Sequence, residues 1–148
     1  MKENKILWFI MFFAWIVALT ATLGSLFFSQ IMGFPPCTMC WYQRICMYPL
    51  VVIFLIGLGR YDKTAALYAA PLVTVGWGWA FYHTLLIAGV ISEELAPCML
   101  GVPCSTAYLN WFGFLDIPML SLAAFTLIAI SLIFFYIKGF KNGFQKKG

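Results

Sequence analysis

Phe34-Pro35-Pro36-Cys37-Thr38-Met39-Cys40-Trp41-Tyr42-Gln43-Arg44 separates an apolar run that ends near Phe28 from the uniformly apolar residues 51–58. Two adjacent prolines cannot continue a helix from upstream, but they can lead into a new one. The stretch therefore reads as a break between two helices, with a cysteine pair at the N-terminal mouth of the second. Working outward from it, four apolar segments stand out, at about residues 6–28, 41–58, 65–91 and 114–137. A membrane-spanning helix needs about 20 residues of low polarity. The second segment is short and carries Arg44, yet its distal half is free of polar side chains.

Composition agrees. The 148 residues are 64% hydrophobic and 9% charged, whereas soluble domains carry roughly 25% charged residues. Four spans and their short connections use the whole chain, so residues 1–148 form one integral membrane domain with no room for a soluble one. The expected fold class is an all-α membrane protein, a four-transmembrane-helix bundle. Lys2 and Lys5 precede the first apolar run as they would in a secretory signal. That run is longer than a signal's apolar region and ends without a small-residue cleavage site, so it reads as an uncleaved first helix.

Charge orients the bundle. Of nine basic residues, eight (Lys2, Lys5, Arg60, Lys63, Lys138, Lys141, Lys146 and Lys147) fall at the N-terminus, between the second and third segments, or in the C-terminal tail. With four spans these places share one side, which the positive-inside rule makes cytoplasmic, with both termini there. The two cysteine-bearing connections then face outward, where disulfides form and persist. The pI near 8.9 reflects this bias and is no sign of nucleic-acid binding. Trp41, Tyr42, Tyr108, Trp111, Phe112 and Phe114 cluster near the outward ends like an interfacial belt. Gly57, Gly76, Gly78 and Gly89 suit close helix packing in lipid.

Cys37 and Cys40 flank two residues at a helix start, where unpaired N–H groups and the positive dipole end favour a thiolate. Arg44, four residues beyond Cys40, shares its helical face. It either snorkels to the headgroups or acts as a fixed cation that stabilises the Cys40 thiolate and any anion developing on a neighbouring electron acceptor. Four outward cysteines can in principle form a structural zinc site. Their lipid-adjacent placement argues against it, and no metal is expected. Cys98 and Cys104 bracket a turn containing Gly101 and Pro103. This pair is either an exposed, oxidising disulfide suited to transfer or a loop staple. Cys46, within the second helix, reads as a small buried hydrophobe without redox function. His83, the one histidine, is either a packing residue or a functional one able to hydrogen-bond a bound redox ring. Glu93, Glu94 and Asp116 read as surface or helix-end charges.

Taken together, the motifs resemble the DsbB/BdbC disulfide-bond-forming membrane proteins, with the compact second cysteine loop most similar to the BdbC branch. The residues that carry the resemblance are Cys37-Thr38-Met39-Cys40-Trp41-Tyr42-Gln43-Arg44, Tyr82-His83-Thr84, Pro97-Cys98 with Gly101-Val102-Pro103-Cys104, Asn110-Trp111-Phe112-Gly113-Phe114 and Ile117-Pro118. The resemblance implies a thiol:quinone oxidoreductase. Its cofactor would be a quinone (menaquinone or ubiquinone) from the membrane pool, held near Arg44 and His83. Its partner would be an extracytoplasmic thioredoxin-like thiol oxidase of the DsbA/BdbD kind. It further implies that the partner attacks Cys98, that Cys104 exchanges with Cys37, and that Cys40 donates to the quinone. Cys98 and Cys104 are separated by only five residues, a departure from the longer loop of proteobacterial members that leaves the order of attack open. Two rivals remain: a vitamin K epoxide reductase-like protein, whose reactive pair would come later in the chain, and a non-catalytic assembly factor with stapled loops.

Overall fold

The structure, a computed structural model, describes residues 2–60, 62, 64–92 and 117–145. Cys98 and Cys104, with Glu93, Glu94, Asp116 and the aromatic residues expected at 108–114, lie outside the described residues. Four helices account for the fold: α1 (Lys2–Leu26), α2 (Thr38–Arg60), α3 (Thr64–Ile87) and α4 (Ile117–Gln145). α1 runs on into a single π-helical segment, Phe27–Ile31.

Each helix is apolar around most of its circumference, and burial selects one stripe. On α1 the buried positions are Leu7, Met11, Ala14 and Ala18, spaced three and four residues apart. Phe9, Phe13 and Leu23 point outward and are at least half exposed. α2 buries Met39, Gln43, Cys46, Leu50, Phe54 and Gly57, and α3 buries Ala66, Ala69, Val73, Gly76, Ala80 and His83. Large apolar residues cover the outside, and small buried ones on α1 (Ala14, Ala18) and α3 (Ala66, Ala69, Gly76, Ala80) let the helices approach, as van der Waals packing in lipid requires. Three of the helices are long and apolar enough to cross a membrane, at Lys5–Ile31, Thr38–Arg60 and Ile117–Gly139. α3, the fourth member of the bundle, falls outside that set although it carries no charged residue; Thr64, Pro71, Thr74, Trp77, Trp79, Tyr82, His83 and Thr84 lower its mean hydropathy. Its outer face still presents Leu67, Tyr68, Val75 and Phe81.

α1 packs on α2 and α4, and α3 on the same two helices, closing a four-membered ring. The order is antiparallel. Ile10 and Met11 near the start of α1 meet Phe54 late in α2 and Phe135 late in α4. At the opposite end, the last turns of α1, the start of α2, His83 and Ile87 of α3 and the start of α4 surround one cavity. The connection carrying Cys98 and Cys104 therefore leaves and re-enters the bundle at the end that holds Cys37 and Cys40.

Helix ends depart from the expected segments for local reasons. α3 was expected to reach residue 91, but it stops at Ile87. Gly89 adopts φ 73°, and Gly89 N–H and Val90 N–H donate to the carbonyls of Leu86 and Leu85. That pattern is a Schellman cap, which requires a left-handed residue at Gly89. α2 starts at Thr38, three residues earlier than the apolar run. At its other end Asp62 N–H donates to Gly57 O, and Thr64 N–H donates to Asp62 Oδ1, starting α3.

The glycines divide accordingly. A Cβ on Gly57 would lie 2.6 Å from Ala65 Cβ, and one on Gly76 would overlap the Phe125 ring. Gly78 faces open space, and Gly89 serves the cap, so only two of the four expected packing glycines are close-contact positions. Gly76→Ala should cost about 1–3 kcal/mol by overpacking, lowering the thermal unfolding midpoint in detergent, while Gly78→Ala should leave it unchanged. Equal behaviour of the two variants would contradict this packing.

Candidate active site

Cys37 occupies the N-cap of α2. Its carbonyl accepts the first helical hydrogen bond, from Trp41 N–H, at 3.2 Å, as N-cap carbonyls do. Cys40 follows at the third helical position, and the two sulfurs lie 3.1 Å apart as free thiols. Cys37 is 6% exposed, and Cys40 is half-buried.

The Cys37 thiol is drawn well below its ordinary range. The Cys40 S–H hydrogen bond contributes most; the His83 ring and the Cys40 backbone N–H add to it, while burial opposes them. A sulfur at an N-cap accepting a third-position N–H is the thiol counterpart of a serine or aspartate cap.

His83 reaches this sulfur from α3, with Nε2 3.8 Å from Cys37 Sγ. It is 2% exposed. On its other side, Gln43 Nε2 lies 3.1 Å from His83 Nδ1. An amide nitrogen only donates, so Nδ1 accepts. In a neutral ring Nε2 then carries the hydrogen and directs it at Cys37. Gln43, His83, Cys37 and Cys40 thus form a buried relay linking two helices. The sulfurs of Cys37 and Cys40 and one ring nitrogen of His83 lie within 4.8 Å of one another, close enough to share a metal ion.

Arg44 does not simply extend to the membrane surface. Its Nε donates to Ser25 Oγ at 2.8 Å and its Nη2 to Ser25 O at 3.0 Å. Its guanidinium carbon also sits 5.3 Å from the centre of the Trp41 ring, within cation–π range. Ser25 immediately precedes the end of α1, where the chain widens into the π segment, and Ser29 Oγ donates to the same carbonyl. π-helical turns recur at functional sites.

These side chains border a cavity of about 520 Å³ lined mainly by apolar residues. Cys37, Cys40, Gln43, Arg44 and His83 all contribute to its wall. So do Ile16, Leu120 and Leu127, each at least 40% exposed on the outer surface. The cavity consequently runs from the cysteine pair toward the lipid-facing seam between α1 and α4.

The chain is similar to known proteins over most of its length. The family profile described as disulfide bond formation protein DsbB matches residues 4–135. The chain belongs to the DsbB family. It is 44% identical over 140 residues to disulfide bond formation protein C of Bacillus subtilis, covering 95% of this chain and 99% of the relative. It is 46% identical over 133 residues to a probable disulfide formation protein of Metapseudomonas resinovorans, covering 89% and 92% of the two chains. No solved structure matches. Membership in this family assigns the protein a role in disulfide bond formation, as a thiol–disulfide oxidoreductase of membranes.

Four of the six residues expected at the DsbB-family site, Cys37, Cys40, Arg44 and His83, line the one cavity; Cys98 and Cys104 lie outside the described residues. Cys46 is buried in the bundle core, in keeping with its reading as a packing residue. Gln43 is the residue that sequence reasoning passed over. In the sequence it is a polar member of the motif that follows Cys40, with no sign that it turns toward His83.

The relay has a measurable consequence. Removing the Gln43 amide frees His83 to turn away from Cys37, and a hydrogen bond of about 0.5–1.5 kcal/mol corresponds to roughly one pH unit or less. In protein whose other cysteines are replaced, Gln43→Leu should raise the pH at which Cys37 thiolate absorbance appears by up to about one. His83→Ala should raise it at least as far. Thiolate is lost below that midpoint, so both variants should react more slowly with alkylating reagents at mildly acidic pH. An unchanged midpoint in both variants would remove Gln43 and His83 from the site.

Proposed function

We propose that this protein is a membrane thiol:quinone oxidoreductase. It would reoxidise an extracytoplasmic thioredoxin-like thiol oxidase and pass the electrons to a membrane quinone. The observation that carries the reading is the dithiol itself, set in the wall of an apolar cavity that reaches the lipid-facing surface. A pair that only stapled structure would have little to hold together here, because Cys37 and Cys40 lie within one turn of a single helix.

The residues present fit a quinone. Ligand cavities are commonly about 300–1,000 Å³, apolar, with a few convergent polar groups. Here those groups are Arg44, His83 and Gln43. The Tyr48 ring also lines the wall, and its buried hydroxyl has no partner among the described residues. Arg44 and His83 would hold the ring oxygens. A bound quinone supplies an acceptor for two electrons and two protons.

The protein's own part begins outside the membrane. The reduced partner attacks the Cys98–Cys104 disulfide, by analogy at Cys98, and Cys104 thiolate then exchanges into the Cys37–Cys40 disulfide at Cys37. Each exchange conserves electrons, passing one disulfide outward and two electrons inward. The connection bearing Cys98 and Cys104 starts and ends at the cavity, which suits such a meeting. Once both inner sulfurs are reduced, Cys40, the more exposed of the two, faces the acceptor while Cys37 is held as the stabilised thiolate. Two electrons leave as the Cys37–Cys40 bond re-forms. His83 is in position to donate its Nε2–H to the Cys37 thiolate, and the fixed Arg44 cation stabilises negative charge arising beside Cys40. The excess of Lys and Arg at the opposite end supports a cytoplasmic placement for that end and an outward-facing site.

Purified protein supplied with a reduced dithiol partner should reduce ubiquinone or menaquinone, and Cys40→Ser should abolish turnover. Folded wild-type protein that reduces neither quinone would overturn the proposal.

A further inference from the structure

The relay also meets the requirements of a site for a soft metal ion. We infer that the reduced form of the protein binds one thiophilic d10 cation, such as Zn²⁺ or Cd²⁺, through Cys37 Sγ, Cys40 Sγ and His83 Nε2. Oxidation of the cysteine pair abolishes the site.

Three observations support it. The first is donor convergence: the two sulfurs stand 3.1 Å apart, Cys37 Sγ stands 3.8 Å from His83 Nε2, and all three atoms fall within 4.8 Å. With Zn–S bonds of about 2.3 Å and Zn–N bonds of about 2.0–2.1 Å, tetrahedral geometry places sulfur about 3.8 Å from sulfur and about 3.5 Å from nitrogen. The Cys37–His83 separation is already close, and the sulfurs need to part by about 0.7 Å. The Cys40 sulfur, within 4.8 Å of the His83 nitrogen, needs to approach it by up to about 1.3 Å, which a Cys40 side-chain rotation supplies.

The second is the support behind the histidine. Metal-bound imidazoles almost always engage their other nitrogen in a hydrogen bond, and Gln43 stands 3.1 Å from Nδ1. Turning its amide presents Oε1 to an Nδ1–H, which frees Nε2 to bind metal. Gln43 serves either tautomer, as an aliphatic residue could not.

The third is charge. Two thiolates and a divalent cation sum to zero, with neutral imidazole as the third donor. A neutral cluster tolerates this buried, largely apolar setting far better than a separated charge would. The adjoining cavity leaves a fourth position for water or halide. Soft donors without a carboxylate select against Mg²⁺ and Ca²⁺.

With Cys37 already a thiolate, binding at neutral pH exchanges the one remaining thiol proton, on Cys40, for the metal ion and moves no electrons. It does not depend on the quinone assignment, which can fail without affecting it. If both hold, a captured cation engages the sulfur lone pairs needed for oxidation and arrests the reduced enzyme.

The test uses the full-length protein in detergent, with Cys98→Ser and Cys104→Ser removing the outer thiols. Cd²⁺ titration at neutral pH, read by sulfur-to-cadmium charge-transfer absorbance and by competition with a chromophoric chelator, should give one equivalent bound and about one proton released. His83→Ala should weaken binding at least tenfold, and diamide oxidation of the Cys37–Cys40 pair should eliminate it. Cadmium NMR of the unsubstituted histidine form reads the donor set directly and guards against a misfolded His83→Ala variant. Absence of binding by reduced, folded protein, a donor set of sulfur alone, or undiminished binding after oxidation would each overturn the inference.

Discussion

The first turn of a helix has backbone N–H groups that no residue within the helix can satisfy, and here that turn begins inside an apolar bundle. The Cys37 sulfur answers this constraint by accepting the Cys40 N–H. That N–H adds to the stronger hold of the Cys40 S–H and of His83 on the Cys37 thiolate. Structure and redox chemistry therefore meet at one helix start. Pro35 and Pro36 set it up, since a chain that cannot remain helical through them must start again at the cysteines.

Around that cap, polar groups are paired across helices rather than released to solvent. Gln43 and His83 join α2 to α3, and Arg44 and Ser25 join α2 to the end of α1. The π-helical segment follows directly on the turn that receives Arg44. Few of these polar side chains sit in the seam between α1 and α4, leaving that side of the cavity apolar and adjacent to lipid. The result is a reactive pair with a polar, hydrogen-bonded back wall and an apolar front.

Much of this was legible in the sequence. Apolar segment lengths gave the four helices, and the distribution of lysine and arginine paired the two cysteine-bearing connections at one end, an arrangement the antiparallel bundle shares. The prolines before Cys37 located the start of α2. Contacts that depend on helix rotation were not legible. Gln43 faces inward only because α2 turns Met39, Gln43, Cys46 and Leu50 into the core. His83 meets Cys37 only because α3 packs against α2 with Ala80, His83 and Leu86 turned inward. One-dimensional pattern also cannot separate a packing glycine from a capping one, as Gly78 and Gly89 illustrate. Arg44 was open between two readings because its partner, Ser25, is brought to it by tertiary structure.

The central claim is that the cysteine pair delivers electrons to a lipid-soluble acceptor within this cavity. Gly24 lines the cavity, and a Cβ built there meets nothing within 4 Å, so Gly24→Phe fills the space without disturbing the cysteines. The decisive measurement compares two rates in that variant: oxidation of a reduced dithiol partner in a single turnover by pre-oxidised protein, and steady-state quinone reduction. The account predicts that the first survives and the second collapses by at least tenfold. Quinone reduction at the wild-type rate would contradict it, because the acceptor would then be reached somewhere other than this cavity.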